Sequence, residues 1–155
     1  MPVRKATAAD LPHYLELGKK FHAASPMHNV VPFDEDGYSK FYLQSVDSST
    51  VSMWVAEADG AVVGIVGAIL YSLYFSPGNL VVQELWWWLN PEHRGSGLGK
   101  EMFTTIEDWA ADNGAAALFM IALEDKNAEK MEKVYARAGF RPMERTFIKE
   151  VQTWE

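Results

Sequence analysis

Two places in the sequence combine residue types that chemistry needs. The first is "HRGSGLGK", His93 to Lys100, where Arg94, Gly97 and Gly99 follow the spacing R-x-x-G-x-G. Between a strand and a helix, such a run can hold a pyrophosphate. The helix start offers free N–H groups and the positive end of its dipole, glycine keeps the approach open, and the arginine adds a permanent charge. The plainer reading is a tight strand-to-helix turn that needs glycine for positive φ. Two other phosphate loops do not fit. A Walker A loop needs glycine where Arg94 stands and serine or threonine where Glu101 stands. A dinucleotide fingerprint beginning at Gly95 needs a third glycine where Lys100 stands.

The second place is Glu84, inside the apolar run "LVVQELWWWL". An unpaired buried carboxylate is costly, so Glu84 is expected to be paired, to be solvated by a cavity, or to have a raised pKa. All three suit a general base that takes a proton from an ammonium, directly or through water. A structural ion pair with an arginine or lysine is the competing reading. Glu124 is a second candidate base, weighed against a solvated loop acid. Strand alternation would put Glu84, Trp86 and Trp88 on one face and Leu85, Trp87 and Leu89 on the other, unless a bulge intervenes.

Those residues need elements to hold them. Val3–Ala6 reads as a short strand. Thr7 and Asp10 resemble a capping box ahead of a helix over about 8–23, and a second helix is expected near 34–46. Val51–Ala58 alternates, Asp59-Gly60 signals a hairpin, and the return strand runs from Ala61 to about Tyr74. A turn at "SPGN" leads to a strand over Leu80–Leu89. A helix follows over Gly97–Asn113, then a strand over Ala116–Leu123, then a helix capped by Asn127 and stopped by Gly139. Phe140 onward is expected to add one or two strands. The expectation is an α/β (α+β) domain spanning residues 1–155. Its mixed, mostly antiparallel sheet has six to seven strands with helices on both faces, in the order β-α-α-β-β-β-α-β-α-β(-β). The 51–89 meander should be antiparallel and the 80–123 unit parallel.

Composition narrows the function. The chain has 155 residues, no cysteine and a net charge of −7. Disulfides, thiolate metal sites and an acyl-cysteine intermediate are removed, and the charge has the wrong sign for general nucleic-acid binding. The four histidines show no metal-ligand spacing. No apolar run reaches the roughly 20 residues of a membrane span, and the N-terminal residues lack a signal-peptide core. The cytoplasm is therefore the expected location.

The stretch "LWWWLNPEHRGSGLGKEMF", with Leu89, Pro91, Arg94, Gly97 and Gly99, together with "NAEKMEKVYARAGF", with Asn127, Tyr135 and Gly139-Phe140, resembles the Gcn5-related N-acetyltransferase (GNAT) superfamily. The resemblance implies acetyl-CoA as the donor substrate and an amine acceptor, small molecule or protein. It implies that the fourth and fifth strands part and that the pantetheine arm bonds the fourth strand at Trp87, Trp88 and Leu89. The pyrophosphate would rest on amides of Arg94, Gly95, Ser96, Gly97, Leu98, Gly99 and Lys100. Asn127 would be a further cofactor contact, although it lies eight residues before Tyr135, one more than the family spacing. Tyr135 resembles the tyrosine that protonates the leaving thiolate; on its own it would read as a core residue. His22, His28, Tyr71 and Tyr74 fall where the family builds its acceptor pocket. Glu84 and Tyr135 together suggest an enzyme using direct transfer in a ternary complex, with a non-catalytic acyl-CoA-binding module as the alternative. The acceptor cannot be named from the sequence, and a homodimer stays open.

Overall fold

The computed structural model describes residues 2–152. Strand β1 (Val3–Lys5) leads through a 3-10 turn at Ala8–Asp10 into helix α1 (Leu11–Ala24), which has a proline in its first turn. The Asp10 carboxylate accepts from the Thr7 N–H at 2.9 Å. It is clamped by both ends of the Arg4 guanidinium, also at 2.9 Å. Helix α2 (Glu35–Ser45) is capped by Asp34, whose side chain accepts from the Gly37 N–H at 3.0 Å.

Strands β2 (Val51–Ala58), β3 (Ala61–Ser72) and β4 (Leu80–Leu89) form an antiparallel meander. The first turn is the expected one: Asp59 and Gly60 both have positive φ, 52° and 79°, as a type I′ hairpin requires. Helix α3 (Leu98–Asp112) crosses to β5 (Ala117–Phe119), which pairs parallel with β4. Helix α4 (Ala128–Arg137) follows. The sheet order is β1-β2-β3-β4-β5. No helix among the described residues is long and apolar enough to cross a membrane.

Each face of the sheet carries its own core. One holds Val66, Ala68, Val82, Leu89, Met102 and Ile106, under α3. The other holds Tyr14, Leu17, Tyr42, Val55 and Ile65, under α1 and α2. Trp86 lies flat on Gly67, where an added Cβ would come within 2.3 Å of its ring, so only glycine fits there.

Three expectations are corrected. The sheet has five strands among the described residues, not six or seven. Residues 141–152 form no strand, and Met143, Phe147, Ile148 and Val151 are exposed. The apolar positions there do not alternate, and Phe147 and Ile148 are neighbours, so no single strand face could bury them all. Strand β5 is three residues long rather than eight. Asn127 does precede α4, but its side chain makes no capping bond. Asp125 organises that turn instead, accepting from the Asn127 N–H at 2.7 Å and, through its backbone carbonyl, from the Ala128 N–H at 3.1 Å.

Candidate active site

The loop between β4 and α3 presents open backbone donors. Gly95 and Gly97 have φ of 85° and 91°, and a Cβ added at either would meet nothing within 4 Å. The backbone therefore needs glycine there, and the space in front of it is open. The amides from Gly95 to Lys100 have no backbone partner among the described residues; the first in-register bond is Glu101 N–H to the Gly97 carbonyl, at 3.2 Å. These free donors sit at the positive end of a 15-residue helix. Gly99 differs. An added Cβ there would meet Leu89 and Trp87 at 3.8 Å, an ordinary contact distance, so this position faces the strand.

Arg94 is anchored rather than free. Its Nε donates to the Leu89 carbonyl at 2.8 Å, its guanidinium lies 4.9 Å from the centre of the Trp88 ring, and its own N–H is given to the Pro91 carbonyl. It ties the loop to the end of β4 while keeping a fixed positive charge beside the open amides. The Ser96 hydroxyl donates back to the His93 carbonyl at 2.6 Å, closing the turn.

Strands β4 and β5 pair only at Val81–Ala117, Val82–Leu118 and Gln83–Phe119. From Glu84 onward the edge of β4 has no strand beside it, and residues 120–123 are not strand. This is the parting that the resemblance implied. It begins at a bulge, where the β3 register jumps from Gly67–Trp86 to Ala68–Glu84 and leaves Leu85 without a partner. Simple alternation is therefore broken. Leu85 and Trp86 both pack with the α1/α2 core, while Trp87 and Leu89 pack under α3. Glu84 keeps the phase of Val82 and faces the α3/α4 side.

Glu84 is 4% exposed and has no arginine or lysine partner among the described ion pairs. Burial pushes its pKa up to about 8, against a smaller opposing pull from the Ile121 backbone N–H. Tyr135 is buried nearby and donates its hydroxyl to the Ile121 carbonyl at 2.8 Å. Burial, and then the charge of Glu84, push the phenol up, so it remains a proton donor. Ile121 thus lies near both groups: its carbonyl accepts from Tyr135, and its N–H tempers the rise at Glu84. Tyr135 is held in a nest of Trp87, Phe103 and Phe140, with ring centres 6.5, 6.3 and 5.7 Å away.

The remaining residues named from sequence fall as follows. Glu124 is exposed and faces Arg145 at 3.6 Å, as a solvated loop acid does. The Asn127 side chain is half-buried at the start of α4. His22 lines a cavity between α1, the loop after it, α2 and β4, and its Nε2 lies 2.8 Å from the Val31 carbonyl. His28, Tyr71 and Tyr74 are outside that lining. His28 pairs with the Ser25 carbonyl, Tyr71 donates to Gln83, and Tyr74 is 93% exposed. Ile121 was not found from sequence, because a role carried by backbone groups leaves no side-chain signal.

The glycine turn thus opens α3, and the buried Glu84 and Tyr135 lie near the point where β4 and β5 part. Residues 18–140 match the Acetyltransferase (GNAT) family, and the chain belongs to that family. Over 70 residues it is 31% identical to the uncharacterized N-acetyltransferase YobR of Bacillus subtilis (strain 168), a match covering 45% of this chain and 25% of that relative. The chain therefore spans about a quarter of the length of the curated relative it matches. Among solved structures, it is similar to aminoglycoside acetyltransferase AAC(6')-Iy in complex with a bisubstrate analog, CoA-S-monomethyl-acetylneamine. The TM-score is 0.75 and the identity 18%, over 97% of both chains. It is also similar to a ribosomal-protein-alanine N-acetyltransferase from Brucella melitensis biovar Abortus 2308. There the TM-score is 0.72 and the identity 15%, over 97% of this chain and all of that one. At these identities the likeness is one of fold.

Proposed function

We propose that the chain is a single N-acetyltransferase domain that moves an acetyl group from acetyl-CoA to an amine by direct transfer in a ternary complex. The observation that carries this reading is the buried, unpaired Glu84 carboxyl close to Tyr135, whose hydroxyl is held on the Ile121 carbonyl where β4 and β5 part. A proton acceptor and a proton donor are then held at one fork, as amine attack on a thioester requires.

The donor fits the residues present. The free amides from Gly95 to Lys100 and the charge of Arg94 hold the pyrophosphate, and the unpaired edge of β4 at Trp87, Trp88 and Leu89 offers backbone groups to the pantetheine arm. A backbone N–H on that edge polarises the thioester carbonyl. Glu84 takes the proton of the acceptor ammonium, so that the nitrogen lone pair forms the new C–N bond as the C–S bond breaks. Tyr135 turns its hydroxyl proton from the Ile121 carbonyl to the leaving thiolate, and the phenolate recovers a proton from the new amide nitrogen, directly or through water, so that free CoA thiol and a neutral amide leave. The chain has no cysteine, so an acyl-cysteine step is not available to it.

Screening amines for release of free CoA thiol tests the reading. Release that depends on the amine supports transfer. Tight acetyl-CoA binding with no release above the hydrolysis rate, for any amine, would leave the fold as a non-catalytic acyl-CoA-binding module.

A further inference from the structure

The cavity that contains His22 has a volume of about 210 Å³. Phe21, Phe33, Tyr38, Leu85 and Trp86 form most of its walls, and no Asp, Glu, Lys or Arg lines it. Its aromatic wall is continuous: His22 meets Phe33 edge-on at 5.8 Å, and Phe33 packs on Tyr38 at 4.9 Å. A cavity of about 150 Å³ lined by apolar side chains already accepts benzene, so this one has room for a ring and a short alkyl arm.

Two features indicate that the space is built rather than left over. Gly18 lies inside α1, where glycine costs about 1 kcal/mol relative to alanine. A Cβ there would come within 2.7 Å of the Tyr38 hydroxyl, so the glycine makes room for that ring. In the sheet-side wall, Trp86 Nε1 is buried with no hydrogen-bond partner among the described residues. A buried donor without a partner in a mostly apolar wall is the arrangement of a ligand site with a single orienting contact.

The cavity also adjoins the fork. Leu85 and Trp86, its sheet-side wall, directly follow Glu84, and the edge of β4 is open from Glu84 onward. The bulge turns both residues to the cavity face. A body held against them can send a short arm round that open edge toward the carboxylate.

Resting on the transferase reading above, we infer that the acceptor is a monoamine with a compact apolar body, aryl or branched alkyl, seated between α1, α2 and the bulge of β4. A polycation such as an aminoglycoside would find no carboxylate in this wall to meet its further ammonium groups, and burying an unpaired charge is costly.

The test uses 2-phenylethylamine and neamine as probes. CoA-thiol release gives kcat and KM for each, and calorimetry in the presence of CoA gives binding separately. The expected result is a kcat/KM at least 10-fold higher for 2-phenylethylamine. Gly18→Ala, which forces Tyr38 toward the cavity, should raise its KM roughly 10-fold with kcat little changed. Val31→Asp, at a lining position that is 52% exposed, should narrow the preference by favouring neamine. If 2-phenylethylamine binds but no CoA is released with any amine, the cavity assignment stands and the transferase reading falls. Preference for neamine, absence of 2-phenylethylamine binding, or a KM unmoved by both variants overturns the cavity assignment, while amine-dependent release would keep the transferase reading.

Discussion

Replacing Glu84 by glutamine separates the energetics of the buried carboxyl from its chemistry. Its folded-state pKa is about 8 against an ordinary 4.5. The folded protein therefore holds this proton across a window in which the unfolded chain has lost it. More protons bound to the folded state means that stability falls as pH rises, from about 4.5 to about 8. The difference of 8 − 4.5 = 3.5 units, at about 1.36 kcal/mol per unit, sets an upper limit of about 5 kcal/mol. Relaxation around the charged form lowers it. Even about 2 kcal/mol shifts Tm by roughly 4–8 °C in a chain of this size. Glutamine has nothing to titrate, so the Tm of Glu84→Gln relative to wild type should rise between pH 5 and pH 9, whatever the offset at pH 5. The rate has the opposite sign. The base must be ionised, so wild-type kcat/KM should climb with pH to a midpoint near 8. Glu84→Gln should lose that limb and about 10²-fold in kcat. Scanning calorimetry across pH, with matched steady-state kinetics, checks both. A Tm difference that does not vary with pH would refute the buried-acid argument. A normal pH–rate profile in the variant would remove Glu84 from the chemistry and leave it as a strand residue.

Three other outcomes follow from the same geometry. Gly97→Val should fold but lose acetyl-CoA binding in calorimetry. Gly60→Val carries a similar positive-φ penalty at the distant β2–β3 turn, also with open space around it, and should lose similar stability with affinity intact; equal affinities in both variants would make the loop only a turn. Tyr135→Phe keeps the aromatic nest and loses only the hydroxyl, so kcat should fall roughly 10- to 10³-fold with acetyl-CoA affinity held; full activity would exclude the hydroxyl from proton transfer. Asp10 is held down to about 2, first by its hydrogen bonds to Arg4. Its contribution is present above the ordinary carboxylate range and lost as pH falls through about 2. With Arg4 39% exposed, screening limits it to about 1 kcal/mol. Asp10→Asn should be less stable at pH 7 and equal to wild type near pH 2 in urea titrations, and a gap that persists at pH 2 would contradict this assignment.

How much of this was legible in the sequence varies with the kind of signal. Periodicity and punctuation placed α1, α2, the meander and α3 to within a few residues, because Asp59-Gly60, Gly114 and the apolar stripe of α3 are local statements. Glu84 stood out because a carboxylate among tryptophans violates the local pattern, and such violations collect at functional sites. The end of the chain misled. Its apolar residues suggested strands, yet Ile148 beside Phe147 breaks the single face, and residues 141–152 pair with no strand. The cavity was half-visible. His22 was placed by resemblance, but Gly18 and Tyr38 are 20 positions apart on two helices. Only packing shows that one exists to admit the other.

The bulge at Glu84–Leu85 is where these strands of argument meet. A regular β4 would have put Glu84 on the same face as Trp86 and Trp88, toward α1 and α2 and away from Tyr135. One unpaired residue changes the phase. Glu84 stays with Val82, on the side where the Ile121 N–H and the Tyr135 ring await it, while Leu85 and Trp86 turn together to wall the cavity. The same irregularity falls where β5 stops pairing, so the strand edge is open between the carboxylate on one face and the cavity on the other. The triple tryptophan and the glycines after it then have distinct physical roles. Trp86 fills the hollow over Gly67, Trp87 backs the phenol, and Trp88 anchors Arg94. Beyond them Gly95 and Gly97 leave empty the volume that a pyrophosphate needs.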